Sequence, residues 1–284
     1  MAPTVFYHPG VVPVELPSGA PLGKFADIDR DWRERFPWLE RKPSVPATVE
    51  LLAKVHDREH VEGVLAGRLR NGMGTRDAAH AASATLDVGA FVAAARTAVA
   101  TGTPSVSIGG GFHHAGYARS HAFCTFNGLM AAAVDLIGSG TVGKAAILDL
   151  DNHFGDGTQD IRTRLGLESL VPHYAYAHEM LVPADADGWL SRLPDIIVSL
   201  AEGAGILLFN AGVDSHEDDP MTRGVLTTMQ MRTREDIVFS TCARLGVPVA
   251  WTLAGGYNRS PRKLVELHGF AMEAALRHAR QAFA

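Results

Sequence analysis

Cysteine is almost missing. Cys124 and Cys242 are the only two in 284 residues, which excludes a disulfide scaffold and a Cys-rich zinc module and fits a reducing compartment. A block of basic charge is also lacking: 26 Lys and Arg against 31 Asp and Glu leave a net charge of -5. Phosphate-binding surfaces need clustered Lys and Arg, so nucleic acid and an anionic membrane are not expected as partners. Charge interrupts each apolar stretch well short of ~18 residues, and Met1 to Val14 has no basic segment followed by a long apolar run. A soluble, cytoplasmic protein is expected. No linker, repeat or low-complexity tract divides the chain, and the 46% hydrophobic content is that of a globular protein, so residues 1–284 read as a single domain.

Short apolar runs alternate with longer amphipathic ones, the pattern of strand–helix units stacked into a parallel sheet. Strands are expected at Thr4–Tyr7, Ser105–Ile108, Lys144–Leu150, Gly205–Asn210 and Pro248–Leu253, with a weaker one at Leu170–Tyr174 broken by Pro172. Helices are expected at Thr48–Val55, Arg58–Arg70, Ala84–Ala100, Gly128–Leu136, Thr158–Leu165, Gly188–Glu202, Thr233–Leu245 and Arg262–Gln281. Val11–Ala26 reads as an irregular opening segment.

Ligands of open parallel sheets sit at the carboxyl ends of the strands, and four of those ends are chemically unusual here. They continue as Gly109-Gly110-Gly111-Phe112-His113-His114, as Asp149-Leu150-Asp151-Asn152-His153, as Ala211-Gly212-Val213-Asp214, and as Ala254-Gly255-Gly256-Tyr257. Asp151 and His153 are two apart, so on an extended segment they point the same way, and Asp214 can join them from another strand end. Two carboxylates and one imidazole suit a divalent metal with open positions for water and substrate. Zinc leads, and ferrous iron accepts the same set. One of His113 and His114 is a candidate general base, Asp149 and Asp156 are placed to accept a hydrogen bond from each imidazole, and Tyr257 offers a phenol to a developing oxyanion.

The strings Gly111-Phe112-His113-His114-Ala115, Ala122-Phe123-Cys124-Thr125-Phe126-Asn127, Asp149 to Thr158, Asn210 to His216 and Gly255-Gly256-Tyr257 resemble, in order, the motifs of the zinc-dependent histone deacetylase family, with its bacterial members and acetylpolyamine amidohydrolases. The resemblance implies an arginase–deacetylase α/β fold, a single parallel sheet with helices on both faces. It implies a metal-dependent amidohydrolase that removes an acyl group from a lysine-like amine. Asp151, His153 and Asp214 would hold the metal. His114 would act as base and acid, supported by Asp156, beside His113, supported by Asp149. Tyr257 would bind the scissile carbonyl, and Phe123 and Gly255 would line the channel.

The chain also departs from the family. Phe154 stands where many members have a second His. The usual second channel wall is not recognisable in Tyr174 to Met180; the resemblance implies potassium held by the Asp149 carboxylate and nearby backbone carbonyls, but the Ser from the next strand that completes such a site is not evident near Pro172-His173. An arginase-type dimanganese centre would need Asp-x-His-x-Asp where this chain has Asp-x-Asp-x-His. A non-catalytic small-metabolite or acyl-amine binding protein on the same fold would need no general base. Met221, seven residues after Asp214, is uncharged where polyamine-selective members can carry a Glu, so acyl-lysine peptides or other small N-acyl amines are expected over acetylpolyamines.

Overall fold

The computed structural model describes residues 2–12 and 23–279. Its frame is one seven-stranded sheet: β1 (Thr4–Phe6), β2 (Arg41–Lys42), β3 (Ser105–Ser107), β4 (Ala145–Asp149), β5 (His173–Ala175), β6 (Ile206–Asn210) and β7 (Val249–Thr252). The order is β2-β1-β3-β7-β6-β4-β5, and all pairings are parallel. Parallel strands need covered faces. The cover comes from α1 (Lys24–Arg35), α2 (Val49–Leu52), α3 (Arg58–Leu65), α4 (Ala78–Thr101), α5 (Gly128–Gly138), α6 (Asp156–Leu165), α7 (Ala186–Leu200), α8 (Thr228–Leu245) and α9 (Pro261–Ala279).

Alternation along each strand divides the core between the two faces. On β4, Ala146 and Leu148 join Leu207 and Phe209 of β6 and Val249 and Trp251 of β7 in one cluster, together with Trp189, Phe239 and Phe270 from the helices. The residues between them, Ala145, Ile147, Ile206, Leu208 and Ala250, join the opposite cluster with Phe91, Leu129 and Met130. Each fully buried large side chain contributes about 1.5–3 kcal/mol. Helix α4 is long and apolar enough, on length and composition, to cross a membrane, which the expectation from charge interruption missed. Its Val88, Phe91 and Ala95 are buried in the core beneath the sheet.

The central strands lie where they were expected, and the differences have local causes. Within the opening segment, residues 13–22 lie outside the described residues, but α1 begins at Lys24. Phe25, Ile28 and Trp32 are its buried stripe, at spacings of three and four. Strand β2 is a two-residue edge too short to leave a pattern. Pro172 does not enter β5 but precedes it, and its carbonyl accepts Ile147 N–H at 2.9 Å. Helix α4 starts six residues early, because Asp77 caps it through Ala79 N–H. Helix α8 starts five early, because Thr227 and Gln230 form a reciprocal capping box. Helix α3 ends at Leu65 rather than Arg70. The end of the last expected helix, residues 280–281, falls outside the described residues.

One buried histidine ties the loops that carry the site to this frame. Asn127 N–H donates to His56 Nε2 at 2.8 Å, and His56 Nδ1 lies 2.8 Å from the Gly116 carbonyl. Asn127 in turn caps α5 through Met130 N–H and donates to the Ala115 carbonyl. Burial holds the His56 imidazole down at about 4. Between pH 6.5 and 4 the unfolded chain therefore binds more protons at this residue than the folded one, so its contribution is complete above that window and lost as pH falls through it. The expected loss is on the order of 3 kcal/mol. Urea unfolding of the parent and His56→Gln at stepped pH checks this: the variant should show a flatter acid limb, and an identical slope would contradict it.

Candidate metal centre and active site

The carboxyl ends of β3, β4, β6 and β7 are neighbours in the sheet, so the four chemically unusual loops meet. After β3, Asp87 of α4 accepts Gly110 N–H at 2.9 Å, while Phe112 adopts a left-handed φ of 63°. The two following imidazoles are thereby aimed at different carboxylates. His113 Nδ1 donates to Asp149 Oδ2 at 2.7 Å, and His114 Nδ1 donates to Asp156 Oδ1 at 2.7 Å. The rings lie 4.2 Å apart, and both pairings match those read from the sequence.

Their environments differ. Asp149 is fully buried and receives Asn210 Nδ2 at 2.8 Å and Asp151 N–H at 3.2 Å on its other oxygen. Burial opposes charge on His113, but Asp149 and then Asp151 outweigh it and raise the imidazole to about 9. Asp149 is held correspondingly low, at about 2, against its own burial, chiefly by the charge and hydrogen bond of His113. His114 moves the other way, lowered by burial and then by the His113 charge. Its partner Asp156 opens α6 and shares its second oxygen with Arg119 at 2.5 Å. The proton affinities of the two imidazoles are thus driven in opposite directions, His113 up and His114 down.

Asp151, His153 and Asp214 bring their ligand atoms within 4.8 Å of one another. His153 Nδ1 lies 2.9 Å from Asp151 Oδ1 and 2.8 Å from Asp214 Oδ2. The Asp214 contact lacks hydrogen-bond geometry, leaving that buried oxygen orphaned. Backbone N–H groups fix the remaining lone pairs: Gly255 donates to Asp151 Oδ2 and Asn152 to Asp214 Oδ1, both at 2.9 Å. Burial and the Asp151 charge push Asp214 up to about 7. Two crowded carboxylates, an orphaned oxygen and an imidazole fit a divalent cation, which neutralises the site better than the single proton of His153.

Tyr257 stands over this cluster, its ring 6.0 Å from His153 and 6.4 Å from Phe123. Burial, then the Asp151 and Asp214 charges, raise its phenol, so it remains a hydrogen-bond donor. Phe123, with φ 66°, lines the same narrow cavity as His113, His114, Asp151, Gly255 and Tyr257. Met221 is not among the residues lining that cavity; it is half exposed on the loop after Asp214. Phe154 is half exposed too, and its ring lies 5.1 Å from His178; neither residue is among those lining that cavity.

Three supporting residues were missed. Lys24 of α1 is buried and donates to the carbonyls of Ala254 and Gly256 at 2.7 and 3.3 Å, bracketing Gly255. Burial lowers its ammonium to about 8 although Asp214 and Asp151 favour the charge. Asp219 accepts Tyr257 N–H at 2.8 Å. Asp87, at the root of the glycine loop, is pushed up to about 7 by burial. The one legible signal was Asp87, a lone carboxylate within an alanine-rich helix.

Comparison with known proteins agrees with this geometry. A family model described as the histone deacetylase domain matches residues 32–166, a stretch that includes both imidazoles, Asp151 and His153 but stops before Asp214 and Tyr257. An acetylpolyamine amidohydrolase of Mycoplana ramosa is 33% identical over 51% of this chain and 49% of that protein. Acetylpolyamine amidohydrolase 1 of Pseudomonas aeruginosa is 30% identical over 51% and 48%. The chain thus spans about half the length of these two relatives. An uncharacterized protein of Picosynechococcus is 29% identical over 95% of this chain and 97% of its own. The crystal structure of the HDA15 HD domain superposes with a TM-score of 0.79 over 99% of this chain and 93% of that one, at 18% identity. The fold is the α/β arginase–deacetylase fold. The chain is thus similar, over the stretch that carries the paired imidazoles, to histone deacetylase domains, and over about half its length to two acetylpolyamine amidohydrolases.

Gly255 gives a direct test of the cluster. A Cβ there would lie 2.4 Å from Asp151 Oδ2 and 2.7 Å from Asp214 Oδ2, so Gly255→Ala must displace both carboxylates. Zinc affinity measured by competition with a chromophoric chelator should fall by about 10–100-fold or more, the range seen when groups that orient ligands are disturbed, with the circular dichroism of the fold retained. Unchanged affinity would remove these carboxylates from the ligand set.

Proposed function

We propose that the chain is a zinc-dependent deacetylase, acting as one catalytic domain in the cytoplasm, which hydrolyses the amide of an acyl-lysine peptide or a related small N-acyl amine. The observation that carries this reading is the pair of adjacent imidazoles, each tied through Nδ1 to its own carboxylate, beside the Asp151, His153 and Asp214 cluster. A binding protein has no use for two imidazoles whose proton affinities are driven apart.

Asp151, His153 and Asp214 would hold the divalent ion, with zinc favoured by the donor set and ferrous iron compatible with it. Bound there, the ion supplies a Lewis acid that acidifies water and polarises a carbonyl. The chain's own groups do the rest. His114, neutral and with Nδ1–H committed to Asp156, offers Nε2 to take the proton of the attacking water and later to protonate the leaving amine. His113 adds fixed positive charge beside the developing oxyanion, and the Tyr257 hydroxyl donates to that oxygen. Phe123, which lines the cavity beside Tyr257, packs along the aliphatic arm.

The names of the two amidohydrolase relatives favour an acetylpolyamine as the second reading. Against it, Met221 brings no charge to pair with a distant ammonium. Side-by-side kcat/KM values for an acetyl-lysine peptide, acetylputrescine and acetylspermidine decide between them. The peptide is expected to be preferred, and a tenfold preference for the polyamines, about 1.4 kcal/mol the other way, would install the second reading. Tyr257→Phe should lower kcat on the preferred substrate by on the order of 10²–10³ with a smaller change in KM. Near-parental kcat would remove the phenol from the mechanism.

A further inference from the structure

We propose that the imidazole of His173 occupies the place beside Asp149 that the family resemblance assigns to a monovalent cation, and that this chain works without potassium. The inference rests on the proposed function only in taking Asp149 as the partner that positions His113.

A monovalent cation beside Asp149 needs oxygen ligands, and the side chain that β5 presents there ends in nitrogen. Asp149 Oδ1 already accepts N–H groups from Asn210 and Asp151, and Oδ2 accepts His113 Nδ1. The remaining side of Oδ2 faces His173 Nε2, 3.9 Å away, beyond hydrogen-bond length. This nitrogen is buried and has no other partner. Gly155 closes the third side: a Cβ there would lie 2.8 Å from Asp149 Oδ2 and 3.1 and 3.3 Å from His173 Cε1 and Nε2. Carboxylate, imidazole and glycine are thus packed around one point.

Strand β5 supplies no hydroxyl to that point. Its three residues are His173, Tyr174 and Ala175, and the Tyr174 hydroxyl is committed, donating to Glu179 and accepting from Trp189. The register explains the placement: His173 is paired with Ile147, two residues before Asp149, so a long side chain on β5 reaches forward to the carboxylate. A serine there is too short to do so without an ion between. The histidine presents the polar edge of its ring where a cation would otherwise sit. In this role His173 is a positioning residue, acting through Asp149 on His113.

The test is the ion dependence of the metal-replete chain, prepared free of potassium and compared in potassium, sodium and tetramethylammonium chloride at equal ionic strength. Two readouts are taken, the thermal unfolding midpoint and kcat/KM on an acetyl-lysine peptide. For the parent, the midpoint should be the same in the three salts and kcat/KM should agree within about twofold. For His173→Ser, which restores an oxygen and opens space, both should become potassium-dependent, with kcat/KM about tenfold or more higher in potassium than in tetramethylammonium. A parent stabilised or activated specifically by potassium would overturn the proposal, as would a folded His173→Ser variant that keeps parental activity in all three salts. The unfolding measurement on the parent decides the potassium question even if the variant does not fold. It does so equally if no N-acyl amine is hydrolysed, an outcome that would instead count against the proposed function.

Discussion

The burial of three carboxylates at the adjoining ends of two neighbouring strands is the constraint on which the rest of the structure depends. Asp149, Asp151 and Asp214 are all nearly or completely inaccessible to solvent, and charge taken out of water must be paired or neutralised. The fold meets this demand with backbone N–H groups from Asp151, Asn152, His153 and Gly255, the imidazoles of His113 and His153, and the Lys24 ammonium one layer behind. Arg234, fully buried in α8, ties the loops after β4 and β6 together by donating to the Leu150 carbonyl and Ser215 Oγ. Even so, an oxygen of Asp214 is left without a hydrogen bond. That oxygen faces His153 Nδ1 at 2.8 Å without hydrogen-bond geometry, so the carboxylate cluster keeps an unused acceptor.

The same buried carboxylates also sort the two adjacent imidazoles. His113 sits against the buried side of the cluster and is drawn toward the imidazolium. His114 sits one residue outward, with a carboxylate already shared with Arg119, and the His113 charge pushes it toward the neutral base. Adjacent residues of the same type thus acquire opposite shifts in proton affinity without any difference in intrinsic chemistry. The loop bearing Tyr257 is shaped by the same field: Ala254 and Gly256 both take positive φ, so that their carbonyls converge on Lys24 and Gly255 N–H turns to Asp151.

Most of this was legible in the sequence because strand ends are local. A buried β-strand followed by polar residues places those residues at the sheet edge, and four such ends carried Asp149 to His153, Asp214, His113 with His114, and Tyr257. The imidazole–carboxylate pairs followed from spacing and from the family resemblance. The residues that hold these groups in place were not legible, because their contacts cross long stretches of chain: Lys24 reaches the loop after β7 and Asp87 reaches the loop after β3. Helix α1 was hidden by its own charge, since Phe25, Ile28 and Trp32 are separated by Asp and Arg residues. The contact between Phe154 and His178 was hidden because the two residues lie on different segments of the chain.

The account stands or falls on whether the Asp151, His153 and Asp214 cluster is a site for one divalent cation. The direct measurement is thermal unfolding of the metal-stripped chain during titration with zinc, with proton release followed in parallel. A ligand that binds only the folded state raises the midpoint, and displacement of the proton at His153 releases it to solvent. The account predicts a midpoint that rises and saturates at one equivalent of zinc per chain with accompanying proton release, and no such rise in Asp214→Ala. An unmoved midpoint in the parent, or an equal rise in Asp214→Ala, would contradict it.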